Sequence, residues 1–118
     1  MAADRPDSAS RPQKRILIAD HEQGTTIPLT YLMTQTGYAV RTVSSGEAAL
    51  QEAANYKPDL ILLEAMLANP DGFEICRRLK SKDETSNLPV VFIASDSKLS
   101  TEEKAFSVGA VEFITKPL

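Results

Sequence analysis

Five short apolar runs separated by stretches of helical spacing constrain this chain more than any other feature. The runs are Arg15-Ile16-Leu17-Ile18-Ala19, Tyr38-Ala39-Val40-Arg41-Thr42-Val43, Asp59-Leu60-Ile61-Leu62-Leu63, Pro89-Val90-Val91-Phe92-Ile93-Ala94 and Val111-Glu112-Phe113-Ile114-Thr115. The first, third and fourth show no alternation of apolar and polar residues. A strand of that kind is buried on both faces, which requires a parallel sheet with helices on each side. The order βαβαβαβαβ therefore predicts an α/β doubly wound sheet with right-handed crossovers. Open sheets of this kind carry their sites beyond the carboxyl ends of the strands. Those ends hold Asp20, Glu64, Ala94 and Lys116.

The connecting stretches carry helix punctuation. A first helix is expected over residues 26–36, with Pro28 near its start and Gly37 as its stop. Ser44 and Glu47 have capping-box spacing ahead of an alanine-rich helix that stops before Pro58. Asn69-Pro70-Asp71-Gly72 reads as a turn, followed by a helix over residues 73–81. Ser100 and Glu103 suggest a second capping box for a fourth helix that ends at Gly109. Residues 1–14 hold two prolines and no apolar period, so a disordered tail is expected there and one domain over residues 15–118.

The chain has 118 residues, 42% of them hydrophobic, which fits one domain with a true core. A net charge of −3 without a Lys/Arg cluster argues against nucleic acid as a partner. No apolar run approaches the roughly 20 residues that span a bilayer, and the first residues lack the apolar stretch of a signal peptide, so no membrane role is expected. The lone Cys76 excludes an internal disulfide. It reads as a small core residue, and the cytoplasm is the natural compartment.

Three longer pieces are more specific. Pro58-Asp59-Leu60-Ile61-Leu62-Leu63, Asp71-Gly72-Phe73-Glu74 and Phe113-Ile114-Thr115-Lys116-Pro117 resemble the receiver domain of bacterial two-component response regulators, and the likeness runs from Arg15 to Leu118. It implies a flavodoxin-like, CheY-like sheet of order 2-1-3-4-5 and a cis peptide before Pro117. It also implies a pocket of four parts: two adjacent acids that hold Mg²⁺, an aspartate that accepts the phosphoryl group, a Ser or Thr, and a lysine.

Against that pattern the chain is degenerate. The acid pair is Asp20-His21, the acceptor position is Glu64, and the hydroxyl position is Ala94, with Ser95 one residue later. Only Asp20 and Lys116 match, and the aromatic switch position is Phe113, without a tyrosine hydroxyl. Imidazole is a poor ligand for Mg²⁺, which prefers hard oxygen. Glutamate adds about 1.5 Å of reach and displaces the nucleophile, while phosphoryl transfer rests on positioning and charge neutralisation. The longer carboxylate is instead expected to pair with Lys116, an attraction of about 4 kcal/mol for charges about 4 Å apart at an effective dielectric of about 20, before desolvation.

The expected function is a pseudo-receiver: a phosphorylation-independent regulatory module, not an enzyme, without cofactor or bound metal. Its expected partners are other signalling proteins or a downstream output domain, with a homodimer left open. Two rivals remain. One is a phosphoacceptor switch using Ser95 or Asp96. The other is a small-molecule or metal sensor in the vacated pocket, where Asp20, His21 and Glu64 form a ligand set of one imidazole and two carboxylates. Otherwise His21 reads as a surface or helix-terminal residue, and Glu102-Glu103-Lys104 as a solvated helix face on the side that the resemblance gives to partners. The resemblance also implies a fifth helix after Lys116-Pro117, so the expectation is a piece of a longer protein whose next segment or partner covers the sheet near its third to fifth strands.

Overall fold

The structure is a computed structural model that describes residues 13–117. The elements alternate: β1 (Arg15–Ala19), α1 (Gln23–Gln35), β2 (Ala39–Val43), α2 (Gly46–Asn55), β3 (Leu60–Glu64), α3 (Gly72–Lys80), β4 (Val90–Ala94), α4 (Leu99–Ser107) and β5 (Glu112–Thr115). All strand pairs are parallel, in the order β2-β1-β3-β4-β5. The expected flavodoxin-like topology is therefore present, with four helices among the described residues. The expected tail lies almost wholly outside the described residues.

The unalternating strands divide their side chains between two cores. Leu17, Ala19, Ile61, Leu63, Val90 and Phe92 point to one face, where Ala49, Ala53, Phe73, Ile75, Cys76, Leu79 and Ala105 of α2, α3 and α4 cover them. Phe73 and Phe92 stack there at 5.3 Å between ring centres. Ile16, Ile18, Leu62 and Ile93 point the other way, onto Leu29 of α1. Cys76 is buried, as expected, and burial pushes its thiol up to about 11 against the opposing charge of Lys80.

Local expectations moved where backbone partners decided them. The first helix starts at Gln23, ahead of the expected 26, because the Glu22 carbonyl already accepts from Thr25 and Thr26. Pro28 thus lies inside α1 and not at its first position, and it removes one helical N–H donor. Ser45, not Ser44, caps α2, accepting from Ala48 N at 3.2 Å. The turn is fixed one residue later than expected because Gly46 N–H donates to the Ala68 carbonyl at 2.9 Å. Ser100 lies within the first turn of α4, whose cap is Lys98 without a side-chain bond. Asp96 directs this entry, accepting from Lys98 N at 3.0 Å. Asp71 caps α3 through Glu74 N at 2.9 Å. The peptide before Pro117 is cis, as the resemblance implied, and so is the one before Pro70.

Candidate functional site

Strand register decides which residues meet. Ala19 lies beside Leu63, Glu64 beside Ile93, and Ala94 beside Thr115. The chain leaves all four strands at one edge, so Asp20, His21, Glu64, Ala94 and Lys116 converge there. Glu64 is the last residue of β3. The next loop folds back tightly, with Gly72 N–H donating to the Ala65 carbonyl at 3.1 Å. A Cβ at Gly72 would collide with the Glu64 carbonyl oxygen, so glycine allows α3 to begin against the end of β3.

The site holds two carboxylates almost wholly removed from water, Asp20 at 2% and Glu64 at 3% exposure. Both are compensated, as buried charge requires. Glu64 Oε1 lies 2.6 Å from His21 Nδ1 and accepts the His21 backbone N–H at 3.2 Å. Glu64 Oε2 lies 3.4 Å from Lys116 Nζ. Lys116 Nζ sits closer to Asp20 Oδ2, at 2.9 Å, and also pairs with Glu22. Asp20 Oδ1 accepts from Glu22 N at 2.8 Å, while its buried Oδ2 has the charge of Lys116 nearby but no aligned hydrogen bond.

These contacts set the proton affinities. His21 is raised above the usual imidazole value by its hydrogen bond to Glu64 and by the Glu64 charge, with smaller contributions from Asp20 and Glu22 against slight burial. Burial alone would raise Glu64, but hydrogen bonds from the His21 side chain and backbone, with the Lys116 charge, hold it below the usual carboxylate range. Burial would lower Lys116, but Glu22 and Asp20 outweigh it and push the ammonium up to about 12.

The expected Glu64–Lys116 pairing is therefore real but secondary. Lys116 is shared among three acids, and the shortest contact of Glu64 is to His21. His21 is a surface residue on its ring side only: the side chain is 57% exposed, yet its Nδ1 engages a buried acid. Glu22 is the participant that sequence reasoning missed. Its position two residues after Asp20 was a usable signal, because the short backbone return that bonds Glu22 N to Asp20 also brings its side chain to Lys116. Ala94 is buried at the strand end, Ser95 is exposed, and Phe113 is half-buried against the larger core.

Comparison with known proteins fits this architecture. Residues 16–118 match the family described as the response regulator receiver domain. The chain belongs to that family. It is 35% identical over 104 residues to the alkaline phosphatase synthesis transcriptional regulatory protein PhoP of Bacillus subtilis, covering 88% of this chain and 42% of that protein. The response regulator PleD of Caulobacter vibrioides is 36% identical over 104 residues, covering 88% of this chain and 23% of its own length. The chain thus spans less than half the length of these curated relatives. Among solved structures, a putative response regulator from Chloroflexus aurantiacus superimposes with a TM-score of 0.86 at 28% identity, over 91% of this chain and 88% of that one. The chemotaxis response regulator CheY4 of Vibrio cholerae shares the fold, with a TM-score of 0.85 at 20% identity over 91% of this chain and 89% of that one.

The Mg²⁺ ion implied by the receiver resemblance does not fit this donor set. A hard cation needs oxygen ligands, and the second acid position presents an imidazole nitrogen already held against Glu64. Asp20 is turned to Lys116 and Glu22. Among the described residues no helix is long and apolar enough to cross a membrane.

Proposed function

We propose that this receiver domain transmits signals by docking to other proteins, without phosphorylation of Glu64. The contact that carries the reading is the bridge made by one side chain: Glu64 reaches His21 at 2.6 Å with one oxygen and Lys116 at 3.4 Å with the other. A nucleophile held from both sides is not free to lie in line with a phosphoryl donor, and its extra methylene places the carboxylate in the space that the incoming group would need. Ala94 offers no hydroxyl to that group. The bridge instead ties the ends of β1, β3 and β5 into one arrangement.

Residues 15–118 are the receiver unit in this reading, acting in cytoplasmic two-component or phosphorelay signalling, and they carry no catalysis of their own. The partner is another signalling protein or an output domain. The face of α4 and β5 is suited to docking, because Leu99, Phe106 and Val111 are exposed there at 67%, 41% and 57%. Asp96 is a poor substitute acceptor, since its side chain is committed to the entry of α4.

Incubation with acetyl phosphate and Mg²⁺, followed by intact-mass measurement, tests the reading. The expected result is no gain of about 80 Da, the mass of one phosphoryl group, as long as the residues that stabilise the transferred charge are missing. Glu64→Asp alone should remain unmodified. The triple change His21→Asp, Glu64→Asp, Ala94→Thr should gain phosphate, because metal ligand, nucleophile and hydroxyl act as a unit on one transition state. A native protein that becomes phosphorylated in the pocket overturns the proposal.

A further inference from the structure

We infer that the outward face of α1 is a self-association surface, on which a second copy of this chain docks through its own α1 in antiparallel orientation. This surface lies across the sheet from α4 and adds a specific partner to the docking proposed above. Helix geometry places it. At about 100° per residue, Ile27 and Tyr31 fall about 160° to either side of Leu29, the buried residue of α1. They point away from the sheet and stand 63% and 69% exposed. Pro28 and Leu32 lie on one flank, along the groove toward Lys116, so a segment filling that groove would leave Ile27 and Tyr31 open.

The composition of this face is unlike that of the other helices. Its remaining members are Gln23, Gly24, Thr34 and Gln35, all exposed. Over its 13 positions α1 holds no charged residue, whereas α2, α3 and α4 each present charge to solvent, as at Glu47, Arg77 and Glu103. Soluble domains are about 25% charged overall, and those charges belong to the surface. A solvent-facing helix side without charge, centred on one aliphatic and one aromatic residue, has the composition of an interface core.

Charge at the two ends of the face selects a second copy as the occupant. Glu22, its side chain 47% exposed, precedes α1 at the carboxyl edge of the sheet. Lys14 lies at the other end: its carbonyl accepts from Ala39 N at 2.9 Å, and it borders a cleft together with Thr36, the C-cap of α1. The face is neutral, with an acid at one end and a base at the other. An identical face turned end for end meets it with opposite charges at both ends and with the helix dipoles opposed, whereas parallel pairing sets like ends together. Shape agrees with charge. Ile27 and Tyr31 are one turn apart, so a two-fold axis between them packs each Ile27 on the partner's Tyr31, and the i, i+4 ridges of both helices interlock. A contact limited to one helix about 20 Å long falls below the roughly 800 Å² per partner of a standard interface, so the dimer is weak and concentration-dependent.

Sedimentation equilibrium of the native chain from about 10 μM to about 1 mM provides the test, with a reversible monomer–dimer equilibrium expected in that range. Ile27→Glu with Tyr31→Glu should weaken association by at least about 10-fold, because like charges then face each other across the axis. Ile27→Lys with Tyr31→Lys should do the same. An equimolar mixture of the acidic and basic variants should associate again, a recovery that misfolded chains cannot produce. A thermal melt of each variant confirms folding, and Tyr31→Ser replaces any variant that fails. Phe106→Glu, on the α4 face, should leave the dimer unchanged. A native chain that stays monomeric at about 1 mM overturns the inference and leaves the face to a different protein. A dimer that survives in the folded Ile27→Glu, Tyr31→Glu chain overturns it too, as does one that Phe106→Glu dissolves while the α1 variants keep it.

Discussion

The two faces of the sheet are built from the same strands yet are covered very differently. One face lies under α2, α3 and α4, and its central residues Leu17, Ile61, Leu63, Val90 and Phe92 are fully buried. Among the described residues the other carries α1 alone. There Leu29 is the buried residue of the helix, while Leu32 is 57% exposed and Ile114 on β5 is 39% exposed. A groove bordered by Pro28, Leu29, Leu32, Lys116 and Pro117 runs along this side. Among the described residues the larger core lies under the three-helix face, and the other face meets the polar cluster where Lys116 enters it. The lesson is that strands apolar on both sides do not say which helices pack over which face.

The sharpest test of that asymmetry is truncation in each core. Phe92→Ala removes a fully buried ring stacked on Phe73 and should cost about 3–5 kcal/mol in urea unfolding. Leu29→Ala should cost about 2 kcal/mol, the low end for leucine, because Leu29 belongs to the smaller core and keeps 9% of its surface exposed. Equal losses at the two positions would show that the faces share the load.

A smaller effect is expected at the carboxyl edge, in chelator-treated protein. The folded pKa of His21 lies above its ordinary 6.5, so its contribution is complete below that value and fades as pH rises through the folded pKa. The folded pKa of Glu64 lies below its ordinary 4.5, so its contribution is present above that value and is lost as pH falls through the folded pKa. Melting temperature should thus gain most from the pair between pH 4.5 and 6.5, and His21→Ala should flatten that rise. The change should be less than either core truncation, since the imidazole is largely exposed and screened. An unchanged profile in His21→Ala would detach this edge from the stability of the sheet.

The smallest effect is expected from Leu32→Ser, which should alter stability by less than about 0.5 kcal/mol despite removing an isobutyl group. Its side chain faces solvent more than protein. A loss comparable to that of Leu29→Ala would mean that Leu32 is packed more closely than its exposure indicates.

Much of this molecule was legible in the order of its residues. Unalternating runs such as Leu60-Ile61-Leu62-Leu63 demand burial on both faces, and a parallel sheet is the small-domain solution to that demand. The convergence of Asp20, Glu64, Ala94 and Lys116 followed, because parallel strands all end at one edge. Helix starts were less legible. Ser44 and Ser45 are alike as capping residues, and only the bond from Gly46 N to the Ala68 carbonyl, made across a loop distant in sequence, selects Ser45. The partners within the site belonged to the tertiary structure alone. Opposite charge suggested Lys116 for Glu64, but three carboxylates compete for that one ammonium, and its location nearer Asp20 and Glu22 leaves Glu64 to His21. Charge type is written in the sequence, whereas the division of one cation among several anions depends on distances of a few tenths of an ångström that only packing determines.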